Sequence, residues 1–337
     1  MTSATANPTL TRLASIAVLL LAAILLAACK SEAEAETTKI GYIPIADHML
    51  VGFSEALDNE TFKHGKVESI RFRNYPTITE ALTSGDIDGA FLLAPLAMQL
   101  KVQDAPVKIV LLGHRDGSGL VVDKSAGYER IADLEGHTVA IPHRFSTNNF
   151  LMHMYAAEQG LSDPDSIDRV EAGPPEMFSA LQAKSIDGYI TAEPFLSEAE
   201  ASGVGEVLVF TSEIWNGHPD CVLVLREEFI RQNPEAVQEL ITSLVRQAIS
   251  IESDRSAAVP IASKFLGKDE GIMRSALEDR RRVTFNNLVP LIPELQRMQD
   301  YMADRMGLFP TKADLNDLVD DRFAKEAYRQ LEARDGN

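Results

Sequence analysis

Basic residues are scarce in this chain. Lys and Arg number 32 against 50 Asp and Glu, for a formal charge of −18. That balance excludes a nucleic-acid binder, which needs basic surface. It favours solubility and gives no long-range pull on an anion, so any anion site must be locally positive. Cysteine is scarcer still, with only Cys29 and Cys221, and Trp215 is the one tryptophan. There is no Gly-rich phosphate loop, no paired-histidine zinc helix and no nucleophile-elbow pattern. The common sequence-local enzyme motifs are therefore missing, and only a Ser-His-Asp set assembled in three dimensions stays open.

What is present begins with length. At 337 residues, 45 % hydrophobic and 24 % charged, the composition is that of an ordinary globular chain, longer than one compact core usually uses. Two domains, or one bilobal protein, are expected. The start stands apart. After Arg12, the run Ile16 to Ala28 is apolar and thirteen residues long. That is short for a permanent membrane span and suits the h-region of a signal peptide. Leu26-Ala27-Ala28-Cys29 at its end resembles a bacterial lipobox. The resemblance implies a cleaved signal (residues 1–28) and a lipid on Cys29. Cys221 is then alone, a structural disulfide is excluded, and Cys221 reads as a small buried hydrophobe. Residues 29–38 are polar and acidic without apolar periodicity, as in a flexible tether.

The rest of the chain echoes itself. Glu80 to Ala97 matches Ser179 to Leu196 at an offset of 99 residues, with Ala, Leu, Ile, Asp, Gly and Pro in register. Ile40-Gly-Tyr-Ile-Pro44 and Val139-Ala-Ile-Pro142 form a weaker echo before each copy. The pattern predicts two lobes of one topology. Each copy reads as an α/β unit: strands over 39–44, 90–93, 138–142 and 189–192, helices over 78–82 and 177–181, and a turn at Asp88-Gly89 and Asp187-Gly188. Apolar strands alternating with helices predict a mostly parallel sheet covered on both faces. Ligands then lie beyond the carboxyl ends of the strands. The residues in those places are Ile45 to His48, Ala94 to Leu96, His143 to Asn149 and Glu193 to Phe195. The third group precedes an apolar helix over 150–158. Ser146, Thr147 or Asn148 can cap it, and its first turn suits an anion, with His143 and Arg144 adding donors. Beyond Cys221 helices follow one another, around 233–246, 257–265, 291–306 and 315–331, and are expected to pack on one lobe.

Taken in order, these residues carry a family resemblance. Ile40 to Pro44, Ser84 to Pro95, Pro174-Pro-Glu-Met-Phe178, Asp187-Gly with Glu193-Pro-Phe195, and Ile214-Trp-Asn-Gly-His-Pro219 resemble the nitrate, bicarbonate and sulfonate group of ABC-importer solute-binding proteins. The resemblance spans about residues 39–307 and is nearer the nitrate and bicarbonate binders. It implies an α/β, bilobal type II periplasmic-binding fold that closes on its ligand by hinge motion. The lobes are then 39–136 with 223–337, and 137–222. Implied partners are a small-molecule ligand and an ABC permease with its ATPase in the inner membrane, with no nucleic acid. The implied location is the periplasmic or extracellular face of a bacterial membrane, lipid-anchored.

Matching places for ligand contacts are Asp47, Tyr75, Thr77, Ala94, Pro95, His143, Ser146, Thr147, Asn148, Glu193 and His218. No catalytic residue and no cofactor are expected. His48 is a weaker candidate, while His64, His114, His137 and His153 read as structural or exposed. Asp47, His48, His143 and Glu193 are of metal-ligating types but lack clustered spacing, so no metal site is expected. The chain departs from the family where anion binders often carry a Trp and a Lys. Glu193 at a cleft edge would repel an unaccompanied anion. It needs His143, Arg144 or His218 as partner, the amine of a zwitterion, or a metal. The competing readings are an enzyme of the thiamine-precursor type on this fold and a ligand sensor for a membrane receptor.

Overall fold

The computed structural model describes residues 37–335. The expected signal segment, the Cys29 expected to carry a lipid and most of the expected tether lie outside them. Thr37 and Thr38, expected at the end of the tether, already belong to a strand. The strands in chain order are β1 (Thr37–Tyr42), β2 (Lys66–Arg71), β3 (Gly89–Leu93), β4 (Val107–Leu112), β5 (Ser118–Asp123), β6 (Thr138–Ile141), β7 (Asp168–Glu171), β8 (Gly188–Ala192), β9 (Gly205–Phe210) and β10 (Cys221–Arg226). They form two five-stranded sheets, ordered β2-β1-β3-β10-β4 and β7-β6-β8-β5-β9. Each sheet holds three parallel strands followed by one antiparallel strand in the fourth place. The central strands β3 and β8 are buried at every residue, as helices on both faces require.

The duplicated Asp-Gly does the same job twice. Asp88 donates its amide to the Lys39 carbonyl at 2.9 Å, and its carboxylate accepts from the Lys39 amide at 2.9 Å. Asp187 does this with Thr138, at 2.8 Å each. One side chain thus fixes the register between the first strand and the third. The following glycine is needed because the antiparallel strand passes close by. A Cβ on Gly89 would stand 2.9 Å from the Val224 carbonyl, and one on Gly188 2.7 Å from the Val121 carbonyl. In the second sheet, alternate residues serve two cores. Val121, Ala140 and Tyr189 face the main core shared with the first lobe, while Leu120, Val122, Val139, Ile141 and Ile190 face a smaller one.

The fourth strand of each sheet follows directly on a crossing between the lobes. The sequence division put Ser118–Asp123 in the first lobe, yet β5 pairs with β8 and β9 of the second sheet. Local periodicity identifies a strand but not the sheet it joins. The chain crosses at Gly113–Gly117 and returns at Gly217–Asp220, and the two crossings run side by side. Gly113 donates to the Cys221 carbonyl at 2.8 Å, Asp116 donates to the His218 carbonyl at 3.0 Å, and the Arg115 guanidinium donates to the Gly217 carbonyl at 2.7 Å.

The C-terminal helices also differ from expectation. Helices Pro234–Ser253 and Arg255–Leu266 pack on the first lobe, but Glu270–Glu278 packs on both Arg255–Leu266 and Phe195–Ser202 of the second lobe, and Ile292–Asp304 lies between Ala94–Val102 of the first lobe and Thr147–Glu158 of the second. The stretch expected as one helix over 315–331 breaks at Val319–Asp321 into Leu315–Leu318 and Arg322–Asp335. There Asp320 donates to the Ile109 carbonyl and extends the first sheet's edge.

Candidate functional site

The carboxyl ends of both sheets face each other across the crossings, and buried polar side chains collect there. Tyr42 and Ile43 lead from β1 into a single 3₁₀ turn, Ala46–His48, all of it buried. This turn carries Asp47, which is 1 % exposed, beside His114 of the outgoing crossing, which is 0 % exposed. Asp47 Oδ2 lies 3.0 Å from His114 Nε2. The Cys221 thiol points to the same oxygen at 3.9 Å, and the Tyr75 hydroxyl lies 3.9 Å from the sulfur. One donor atom each from Asp47, His114 and Cys221 lie within 4.8 Å of one another.

Burial dominates the electrostatics. It pushes the Asp47 carboxyl up to about 6 although His114 opposes the rise, and Asp220 and Glu193 add to it. Burial acts against charge on His114 as well, but the Asp47 carboxylate more than compensates and the imidazole ends raised. The Cys221 thiol is raised well above its ordinary value by burial and by Asp220 and Asp47. It is therefore no thiolate nucleophile of the usual activated kind.

Several buried atoms here have no hydrogen-bond partner: Asp47 Oδ1, His48 Nε2, His114 Nδ1, Asn148 Nδ2, His218 Nε2 and Asp220 Oδ1. Buried polar groups are normally satisfied, so a set of orphans in one region marks a place for something else. Gly117 shows where two of them point. Its φ is +98°, and a Cβ there would lie 2.9 Å from His114 Nδ1 and 3.0 Å from Asp47 Oδ1. Only glycine adopts this backbone readily, and only glycine leaves that space open.

Of the sequence-derived candidates, Asp47, Tyr75, Ala94, Pro95, Ser146, Thr147, Asn148, Glu193 and His218 are buried. Thr147 reaches across to the Asp220 carbonyl at 3.5 Å, and Ala94 donates to the same carbonyl at 3.0 Å. Ala46 donates to the Glu193 carbonyl at 2.7 Å, a direct link between the two lobes. Ser146 is the cap of Thr147–Glu158, accepting from the Asn149 amide. Thr77 is exposed and bonded to Asn74, the cap of its own helix. His143 is half-buried, accepts from the Phe145 amide, and sits beside Arg144 and Glu171. His218 donates to the Trp215 carbonyl through Nδ1 at 2.7 Å, near Asp116.

Glu193 has none of its three expected partners. Arg282, from the C-terminal half, takes it instead in a buried ion pair, with Ser197 donating through amide and hydroxyl. Residues that sequence reasoning passed over are His114, Gly117, Asp220, Cys221 and Arg282. The polar stretch His114 to Gly117 between two apolar runs was the available signal for the first two. Nothing local marks Arg282, which is 89 residues from its partner.

A model of the NMT1-like family matches residues 31–265. The chain belongs to that family. This member is 28 % identical over 226 residues to the nitrate import ATP-binding protein NrtC of Synechocystis, covering 61 % of this chain and 33 % of that one. The chain thus spans about a third of the length of that curated relative. Among solved structures, the ligand-binding component of an ABC-type import system from Staphylococcus aureus, described with zinc bound, is 28 % identical. Its TM-score is 0.79, covering 87 % of this chain and 99 % of that one. The periplasmic nitrate-binding protein NrtA from Synechocystis shares the fold at 18 % identity and TM-score 0.80, covering 89 % and 90 %. The bilobal periplasmic-binding architecture expected from the sequence is the fold of this family member. Among the described residues no helix is long and apolar enough to cross a membrane.

Proposed function

We propose that this chain is the solute-binding component of an ABC importer, capturing a small polar, anionic or zwitterionic molecule between its lobes. Nitrate, bicarbonate, a sulfonate and a pyrimidine-type compound are the classes to test. The observation that carries the reading is the set of unpartnered buried polar atoms where two lobes of one topology meet, with two adjacent crossings as the hinge. A solute that satisfies those atoms stabilises the closed arrangement over the open one, which is what a permease must read. Ligand contacts are assigned to Asp47, Tyr75, Ala94, Thr147, Asn148 and His218, with Glu193 held by Arg282 as a strut. The lobes divide at the crossings, Gly113–Gly117 and Gly217–Asp220. Cys29 carries a lipid that tethers the protein to the outer face of a membrane beside its permease and ATPase. The chain performs no covalent chemistry on its ligand.

The test is a thermal-shift panel of small anions, sulfonates, amino acids and pyrimidines on the full chain. One class should raise the melting temperature in proportion to the logarithm of its concentration. Trp215 stands at the returning crossing against Phe150 and Arg297, so its fluorescence should report the same titration. No shift with any solute, combined with turnover of one of them, would overturn the proposal in favour of an enzyme.

A further inference from the structure

The ionisable groups on the first-lobe side of the cleft are chemically unlike a plain anion site. Asp47, His114 and Cys221 are each at most 1 % exposed. Asp47 Oδ1 has no partner, and Asp220 Oδ1 nearby has none either. Asp220 and Glu193 both add negative potential at Asp47. Arg282 pairs with Glu193, whereas Asp47 is met by His114 and the Cys221 thiol and Asp220 by the Ser118 hydroxyl, none of them a fixed cation. A buried carboxylate with an empty lone pair is costly unless a cation meets it. The thiol beside it has only weak contacts, at 3.9 Å to Asp47 and to Tyr75.

We infer that Asp47, His114 and Cys221 form a binding site for a divalent transition-metal ion of the zinc class. An oxygen, an imidazole nitrogen and a sulfur together select a borderline ion such as Zn²⁺ over Mg²⁺ or Ca²⁺, which take oxygen donors. The spacing fits. Zinc bonds of about 2.0–2.3 Å in a tetrahedron put neighbouring donors roughly 3.3–3.7 Å apart. Asp47 Oδ2 is 3.0 Å from His114 Nε2 and 3.9 Å from Cys221 Sγ, so an ion enters with small side-chain shifts. The three residues come from different places, the turn after β1, the outgoing crossing and the first residue of β10, which the fold alone brings together. On binding, the Cys221 sulfur–hydrogen bond and the His114 Nε2–hydrogen bond toward Asp47 break and the freed lone pairs bond the ion; the thiol proton leaves to solvent, and the imidazole proton moves to Nδ1 or leaves to solvent. Three protein donors leave room for a further one from solvent or solute.

The inference rests on reading this cleft as the ligand site, so it is tested with the metal alone. The full chain is stripped with a chelator and titrated with Zn²⁺ against a chromophoric competitor, and separately with Co²⁺. One equivalent should bind. His114→Gln and Asp47→Asn should each weaken binding by at least about tenfold. The Co²⁺ form should show a thiolate charge-transfer band that persists in Cys29→Ser and vanishes in Cys221→Ser. If His114→Gln fails to fold, Cys221→Ala, a loss of one atom, decides the case through the same titration. Binding that survives these variants, or no binding at one equivalent, overturns the metal site. A solute response in metal-free protein would then still stand by itself, so the two failures read differently.

Discussion

The two lobes have the same strand order but different chemistry where they meet. At the level of the backbone the second lobe repeats the first: Asp187 with Thr138 for Asp88 with Lys39, and Gly188 under β5 for Gly89 under β10. At the strand ends the likeness stops. Ala94, small and neutral, stands where the second lobe has Glu193. The first lobe and its crossings hold Asp47, His48, His114 and Cys221, while the second offers mainly the neutral Thr147, Asn148 and Asn149. Topology sets the scaffold through hydrogen bonds that any copy must make, whereas the loop residues beyond it make none of them and were free to diverge.

The sharpest way to break the comparison is at Glu193. Its counterpart Ala94 needs no partner, but Glu193 is 0 % exposed and depends on Arg282. Arg282→Met should cost about 3–5 kcal/mol in urea unfolding, because it strands a buried carboxylate. Adding Glu193→Gln to that variant should recover most of the loss. An equal loss in the single and double variants would show that the pair is not the cause.

The paired glycines come next. Gly89→Ala and Gly188→Ala should each destabilise by roughly 1–3 kcal/mol through crowding of the antiparallel strand. Gly188→Ala should be the worse, since its new Cβ meets backbone at 2.7 Å. Similar melting temperatures for both variants and the parent would refute this use of the motif.

Affinity separates the lobes in a third way. With whichever solute the thermal panel finds, Asp47→Asn should weaken binding by more than about tenfold, or about 1.4 kcal/mol. Asn148→Ala, which removes one neutral donor, should cost only about half that energy. Calorimetric titration of both variants gives the order, and a reversed order would move the weight of the site to the second lobe.

The smallest effect lies at the repeated aspartates. Burial raises Asp187, but the Thr138 amide, the Tyr128 hydroxyl and the His137 ring outweigh it and hold the carboxyl below its ordinary value. A depressed acid stabilises the fold above its unfolded value, near 3.9, and that contribution is lost as pH falls through the folded value. Asp187→Asn should therefore cost roughly 1 kcal/mol at neutral pH, after allowance for solvent, and nothing in strong acid. Asp88→Asn, which loses only the bond from the Lys39 amide, should cost less at neutral pH. Equal, pH-independent losses would contradict the assignment.

Much of this architecture is visible in the order of residues. The 99-residue echo announces two similar lobes, and the strands over 90–93 and 189–192 and the helix ending at Glu158 fall where apolar runs and turn residues put them. The site was legible in part. Asp47, Thr147, Asn148 and Glu193 follow strand ends, where an α/β sheet gathers ligands. His114 and Cys221 were passed over because a lone histidine or cysteine that the fold buries usually has only a packing role.

The sequence by itself determined the repeat, the α/β class and the family, because these rest on periodicity and on local turn chemistry. Only the tertiary structure decided which sheet Ser118–Asp123 joins, that Arg282 answers Glu193, and that Asp47, His114 and Cys221 share one dry space. Those outcomes depend on where two crossings lay the chain side by side. Contacts between residues some 90 to 170 positions apart leave no periodic trace along it.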